Sequence, residues 1–187
     1  MSRAKARALP LPFAGSERVE LDDLEGLYAN HVNAVSRAVA RLRGPAPDIE
    51  DLVHEVFLRA DAERARFRGE STVLTWLIGI AYNLVRARRR QEALRRWLLG
   101  ARQAELMPPP AADALATLEA ADALAEVHAT LDALPERYRA VLILHELEDL
   151  RGPEIAAILG IAPATVWVRL HRAREHFRRA HQARRRR

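Results

Sequence analysis

Near the C-terminus, five side chains have types and a spacing suited to nucleic acid. On a helix over 163–177, Val166, Leu170, Ala173 and Phe177 make one apolar stripe. Thr165, Trp167, Val168, His171 and Arg172 turn away from it, together with Arg174. Thr and Arg on such a helix can reach base edges and phosphates in a major groove. A shorter helix precedes it, with Ile155, Ile158 and Leu159 on one face. Gly160 is a natural stop between the two, because glycine tolerates the left-handed conformation. Pro153 and Pro163 suit the starts of the two helices, where a missing N–H loses no bond. Ile161 can pack into the angle between them. The pattern is a helix-turn-helix; its bland alternative is a helical hairpin inside an ordinary α-domain.

A second group of side chains lies earlier. After Asp48, a plausible N-cap, residues Ile49, Leu52, Val53, Val56, Phe57 and Ala60 form a buried stripe. The opposite face carries Glu50, Asp51, His54 and Glu55. A polar loop, Phe67-Arg68-Gly69-Glu70-Ser71, follows, with Ser71 or Thr72 capping a third helix. Its stripe is Leu74, Leu77, Ile78, Ala81 and Leu84/Val85, and it runs into Arg86, Arg88, Arg89 and Arg90. Enzyme chemistry finds little support. His145-Glu146 begins a zinc-protease pattern, but Asp149 stands where the second His belongs. No Gly-rich phosphate loop or nucleophile elbow is present in the sequence.

The 187 residues suffice for one medium domain or two small ones. With 49% hydrophobic residues and few β-branched runs, the expected class is all-α. The net charge is +5, and Lys5 is the only lysine, so the positive charge is almost all Arg. Arg favours bidentate phosphate and guanine contacts, though a GC-rich genome also enriches it. There is no cysteine, hence no disulfide or thiolate metal site. No apolar run approaches the ~18 residues that span a membrane. Basic blocks at 86–102 and 169–187 flank an acidic one at 113–154. That suggests two nucleic-acid contacts separated by a differently directed surface; for the acidic block, solvated helix faces are the simpler reading.

In order, residues 1–20 read as a disordered arm. The first helix has Leu24, Tyr28, His31/Val32, Val35, Val39 and Leu42 as its stripe, and Gly44-Pro45-Ala46-Pro47 ends it. Residues 21–90 make a first domain of three amphipathic helices. Residues 91–112 read as a linker that begins as possible helix and ends in Pro108-Pro109-Pro110; extended, it spans roughly 70 Å. Residues 113–180 form the second domain, with Leu124, Val127, Leu131 and Leu134 as one stripe and Tyr138, Val141, Leu142 and His145 as another. Residues 181–187 read as a disordered basic tail able to touch phosphates.

Three strings carry a family resemblance: DIEDLVHEVFLRA (48–60), FRGESTVLTWLIGIAYNLVRARRR (67–90), and LDALPERYRAVLILHELEDL with the helix-turn-helix (131–177). In this order and spacing the chain resembles the extracytoplasmic-function group of bacterial sigma-70 factors. The resemblance implies two small helical domains joined by a linker, one for each promoter element, with no catalysis, cofactor or metal. It implies that core RNA polymerase is bound through Asp51, His54 and Glu55, which would meet the clamp helices of the largest subunit. A second contact is implied with the flap of the second-largest subunit. Phe67, Asn83, Arg86, Arg88 and Arg90 would hold the unpaired −10 strand, and Thr165, Trp167, Val168, His171 and Arg172 would read the −35 duplex. Promoter DNA and an anti-sigma factor are the other implied partners, in the cytoplasm at the nucleoid and without membrane insertion.

The chain departs from the family at four places. His54 stands for Gln, Ala87 for Asp, and Gly152-Pro153 for Tyr-Glu. Trp167 and Val168 replace basic or small polar residues, and Trp cannot make an Arg-to-guanine fork. The alternative function is a helix-turn-helix regulator that binds duplex DNA without polymerase. A third alternative is a degenerate, purely interacting partner.

Overall fold

A computed structural model describes residues 23–99 and 118–186. The expected N-terminal arm and the rest of the expected linker, from residue 100, lie outside the described residues. Seven helices follow in order: α1 (Leu24–Arg43), α2 (Ile49–Glu63), α3 (Val73–Leu99), α4 (Leu118–Asp132), α5 (Glu136–Glu146), α6 (Gly152–Leu159) and α7 (Pro163–Arg185). A single 3-10 turn at Arg64–Arg66 links α2 to the loop before α3. No strand occurs among the described residues, and the class is all-α.

Local chemistry sets most helix ends. The Asp23 carboxylate accepts the Gly26 N–H at 3.1 Å and starts α1. Gly44, at φ 74°, ends it. Thr72 Oγ1 accepts the Thr75 N–H at 3.1 Å and opens α3. Asp48 stands at the N-cap of α2 but makes no cap bond. Its carboxylate accepts from Arg43 Nε at 3.0 Å and lies 3.3 Å from Arg88 Nε. Two guanidiniums outcompete one backbone N–H, because charge-assisted bonds are the stronger. Gly160 closes α6 in the left-handed conformation (φ 64°), and Pro163 opens α7. The two helices meet at 97°, the geometry of a helix-turn-helix.

One helix runs into the stretch read as possible helix at the start of the linker, and one boundary, that of the tail, differs from the sequence reading. Helix α3 passes residue 90 and continues to Leu99, because no Gly or Pro interrupts residues 80–99. The tail expected to be disordered from residue 181 is helical to Arg185. His181 stacks on Phe177 at 6.0 Å, and Arg184 donates to the Ala129 carbonyl at 3.1 Å, so α4 anchors the end of α7.

Val35, Val39 and Leu42 of α1 pack against Leu52, Val56 and Phe57 of α2 and Leu77, Ile78 and Ala81 of α3. Leu131, Val141, Ile143, Leu144, Ile155, Val166 and Leu170 form the corresponding centre of the second half. Each such side chain stabilises the fold by about 1.5–3 kcal/mol when fully buried. Leu24, Tyr28 and Leu124, expected in the stripes, are exposed; Leu27 is buried in place of the first two.

The halves also pack on each other. Thr75, Gly79 and Tyr82 share one face of α3 by spacing, and α6 meets it at Thr75 and Gly79. A Cβ at Gly79 would sit 3.4 Å from Ile158 Cγ1, and Thr75 Oγ1 donates to Glu154 Oε1 at 3.5 Å. Arg41 donates to the Leu147 carbonyl at 2.5 Å and to Glu148 Oε1 at 3.2 Å. Arg89 donates to the Arg43 carbonyl at 2.6 Å and to Asp132 at 2.9 Å. Part of the acidic block therefore faces the first half rather than solvent.

Candidate polymerase and nucleic-acid interfaces

On α2, the apolar stripe is turned inward and Asp51, His54 and Glu55 are all exposed. The His54 ring stacks on Tyr28 of α1 at 6.2 Å, and Tyr28 in turn tilts against Phe57 at 4.7 Å. The imidazole thus has a fixed seat beside the carboxylates. Sequence reasoning missed Leu58, which is 69% exposed on this face. Its signal was available: it falls out of phase with the buried stripe and seven residues after Asp51, close to the same side of the helix.

The second group is divided. Asn83, Arg86 and Arg90 are exposed along α3. Arg88 is half-exposed and bound to Asp48 at 3.3 Å, so part of its charge is already matched. Phe67 differs from its expected role as a presented ring: it is 5% exposed and tilts against the half-buried Trp76 at 5.3 Å. An aromatic side chain at a loop end minimises its free energy in the nearest apolar pocket, here between the loop and α3. Arg89, in the same basic run, straps the two halves together.

On α7, Trp167, Val168, His171 and Arg172 are exposed and Thr165 is half-exposed. Neighbours hold several of these residues. The Trp167 ring meets His145 edge-on at 5.8 Å. Arg172 and Arg137 lower the pKa of the Tyr138 hydroxyl, and the Arg137 guanidinium lies over the ring, 4.8 Å from its centroid. Arg174 donates to Glu146 Oε1 from Nε at 2.9 Å, so it is tied to α5. Beneath this surface, Val127, Leu131, Leu142, Leu147 and Phe177 line an apolar groove of about 350 Å³, rimmed by Glu146, Arg174 and Arg178. No group of three or more His, Asp or Glu side chains fit for a metal occurs among the described residues.

Comparison with known proteins decides the lineage. Residues 27–95 match sigma-70 region 2, and residues 124–177 match sigma-70 region 4. The sigma-E factor of Escherichia coli K12, an ECF RNA polymerase sigma factor, is 31% identical over 182 residues, with 85% of this chain and 88% of that protein covered. The chain belongs to the extracytoplasmic-function group of the sigma-70 family. SigE of Mycolicibacterium smegmatis is 30% identical, and the match covers 88% of this sigma factor but 64% of that relative's length. Among solved structures, the fold resembles that of the sigma factor RpoE in complex with the anti-sigma factor NepR from Bartonella quintana. The TM-score is 0.68 at 21% identity, covering 85% of this chain and 96% of that one. CnrH in complex with the cytosolic domain of CnrY gives 0.63 at 23% identity, covering 89% and 97%.

The contact between the halves of the sigma factor carries its own titration. Burial pushes the Glu148 carboxyl above its usual range, against hydrogen bonding and attraction from Arg41 and the charge of Arg37. A raised folded-state pKa means that the folded chain binds this proton more tightly than the unfolded chain does. The resulting stability is fully present below the unfolded value and is lost as pH rises through the folded one. Glu148→Gln keeps the Oε1 acceptor for Arg41 and removes the buried charge. Its unfolding temperature should exceed that of the unsubstituted chain near neutral pH and change less between pH 4 and 7. Identical pH slopes in the two proteins would assign the dependence to other groups.

Proposed function

We propose that this sigma factor binds core RNA polymerase and directs it to promoters that carry a −10 and a −35 element. The match to both sigma regions, in order, with the expected faces exposed, is the observation that carries this reading. Asp51, His54 and Glu55, with Leu58 beside them, form the surface assigned to the clamp helices of the largest subunit. The apolar groove between α4, α5 and α7 is assigned to the flap of the second-largest subunit, since its hydrocarbon lining suits an apolar partner segment. Asn83, Arg86 and Arg90 line the path of the −10 strand: an Asn amide reads an unpaired base edge, and the guanidiniums hold phosphates. Arg88 joins them when it leaves Asp48, and Phe67 stacks on a base only when its ring leaves the pocket beside Trp76. The −35 readers are Thr165, Trp167, Val168, His171 and Arg172. An anti-sigma factor is proposed as a further partner, with the cytoplasm as the site of action.

DNA engagement then requires the halves to part. Helices α3 and α6 are joined by the Thr75–Glu154 hydrogen bond, whereas promoter elements about 25 base pairs apart are separated by roughly 85 Å along the duplex. The 18 residues from 100 to 117 can reach about 60 Å when extended. That reach, added to the dimensions of the two halves, allows both elements to be occupied together.

Run-off transcription with core polymerase, the purified chain and a promoter library tests the proposal. A defined set of promoters should be transcribed only when the chain is present. If the chain bound duplex DNA but transcription stayed unchanged, a polymerase-independent regulator would replace the sigma reading.

A further inference from the structure

The seat of Trp167 explains two departures from the family together. A Cβ on Gly152 would lie 2.9 Å from Trp167 Cζ2, 3.2 Å from Cε2 and 3.5 Å from Nε1, and these are its three nearest neighbours. No real Cβ is accommodated at 2.9 Å by a bicyclic ring packed against a helix start. The indole therefore lies against the first residue of α6, in space that any larger residue would fill. His145, at the end of α5, meets the ring edge-on at 5.8 Å and bounds it from another side. The ring still leaves 54% of the residue exposed, next to Val168 at 52%.

The exposed surface selects a chemistry. The three distances place the Gly152 Cβ position over one face of the indole, beside Cζ2, so the start of α6 covers that face. Apart from Nε1, its only donor, the ring is hydrocarbon, and about half of the residue stays open. A recognition helix that presents hydrocarbon here cannot fork onto guanine, but it can pack on a thymine C5-methyl in the major groove. We propose that Gly152 is a positioning residue for −35 specificity: it seats Trp167 so that the exposed part of the indole reads a thymine methyl. This inference rests on the sigma reading above and names the base feature that its −35 site recognises.

The test uses polymerase holoenzyme reconstituted with the full chain. Promoters are selected from a library randomised in the −35 element, and thymines at selected positions are then replaced by uracil, which removes only the methyl. The unsubstituted protein should favour thymine at one −35 position and lose roughly four- to tenfold in affinity when that base becomes uracil, the scale of one buried methyl group. Trp167→Ala and Gly152→Ala should each abolish the thymine-over-uracil discrimination at that same position. The Gly152→Ala/Trp167→Ala double variant, which has no clash left, should behave as Trp167→Ala alone. That variant also keeps the proposal exposed to test if Gly152→Ala by itself does not fold. A Gly152→Ala protein with full thymine-over-uracil discrimination would overturn the positioning role. Discrimination that survives Trp167→Ala would overturn base reading by the indole. A holoenzyme of the unsubstituted chain that selects no promoter would instead overturn the sigma reading, which separates the two failures.

Discussion

Phe67→Ala is expected to lower the unfolding temperature by about 6–12 °C if both halves unfold as one unit of this size, and by about twice that if the first half unfolds alone. The ring is buried against Trp76. Truncating a buried Phe to Ala costs about 3 kcal/mol or more, from lost transfer energy and the cavity left behind. A stacked base is worth ~1–3 kcal/mol, so the alanine variant by itself confounds packing with recognition. Phe67→Leu separates them, because it fills most of the pocket and typically costs under about 1.5 kcal/mol. Calorimetry and promoter-opening kinetics should be measured on both variants well below their transitions. If the ring swings out to stack on the −10 strand, Phe67→Leu should slow opening roughly five- to hundredfold while closed-complex formation stays near normal. Equal effects on both steps would reduce Phe67 to a packing residue.

Reversing charge at Asp51 and Glu55 together, as Asp51→Lys with Glu55→Lys, is expected to weaken core-polymerase binding by about a hundredfold or more. Both side chains are exposed, and neither belongs to an ion pair among the described residues. Facing a basic surface they contribute attraction, and once reversed they place like charges against it, which costs several kcal/mol. Surface changes of this kind alter stability by about 0.5 kcal/mol or less, so the unfolding temperature should hardly move. Affinity of the full chain for core polymerase, measured at two salt concentrations, checks the result. The loss should shrink as salt rises, since screening weakens attraction and repulsion alike. Leu58→Ala should add a salt-independent loss if its exposed side chain is covered on docking. Unchanged affinity after double reversal would remove this face from the polymerase contact.

Much of this was legible in the chain, for reasons tied to short-range physics. Apolar residues at helical spacing placed α2, α3 and α7. Gly160 and Pro163 marked the break between the helix-turn-helix pair, because left-handed backbone and a missing N–H are local properties. The exposure of Asp51, Glu55 and His171 followed from phase alone. Other features depend on residues far away in sequence. Nothing local to Asp48 says that its carboxylate will bind Arg43 and Arg88 instead of capping α2. The tail beyond 180 carries many arginines and reads as solvated, yet Phe177, Glu126 and Ala129 give its helix partners.

The sequence by itself determined the helix-forming stripes, the turn between α6 and α7, the basic and acidic faces, and the family, because periodicity, caps and motif order are written in neighbouring residues. Only the tertiary structure decided which faces meet. Thr75 and Gly79 look outward on α3 until α6 meets them. Phe67 looks like a presented ring until the pocket beside Trp76 takes it. Gly152 looks like a helix start without a side chain until the Trp167 indole is found lying over it. In each case the free energy comes from a contact between segments distant along the chain, whose geometry no local pattern encodes.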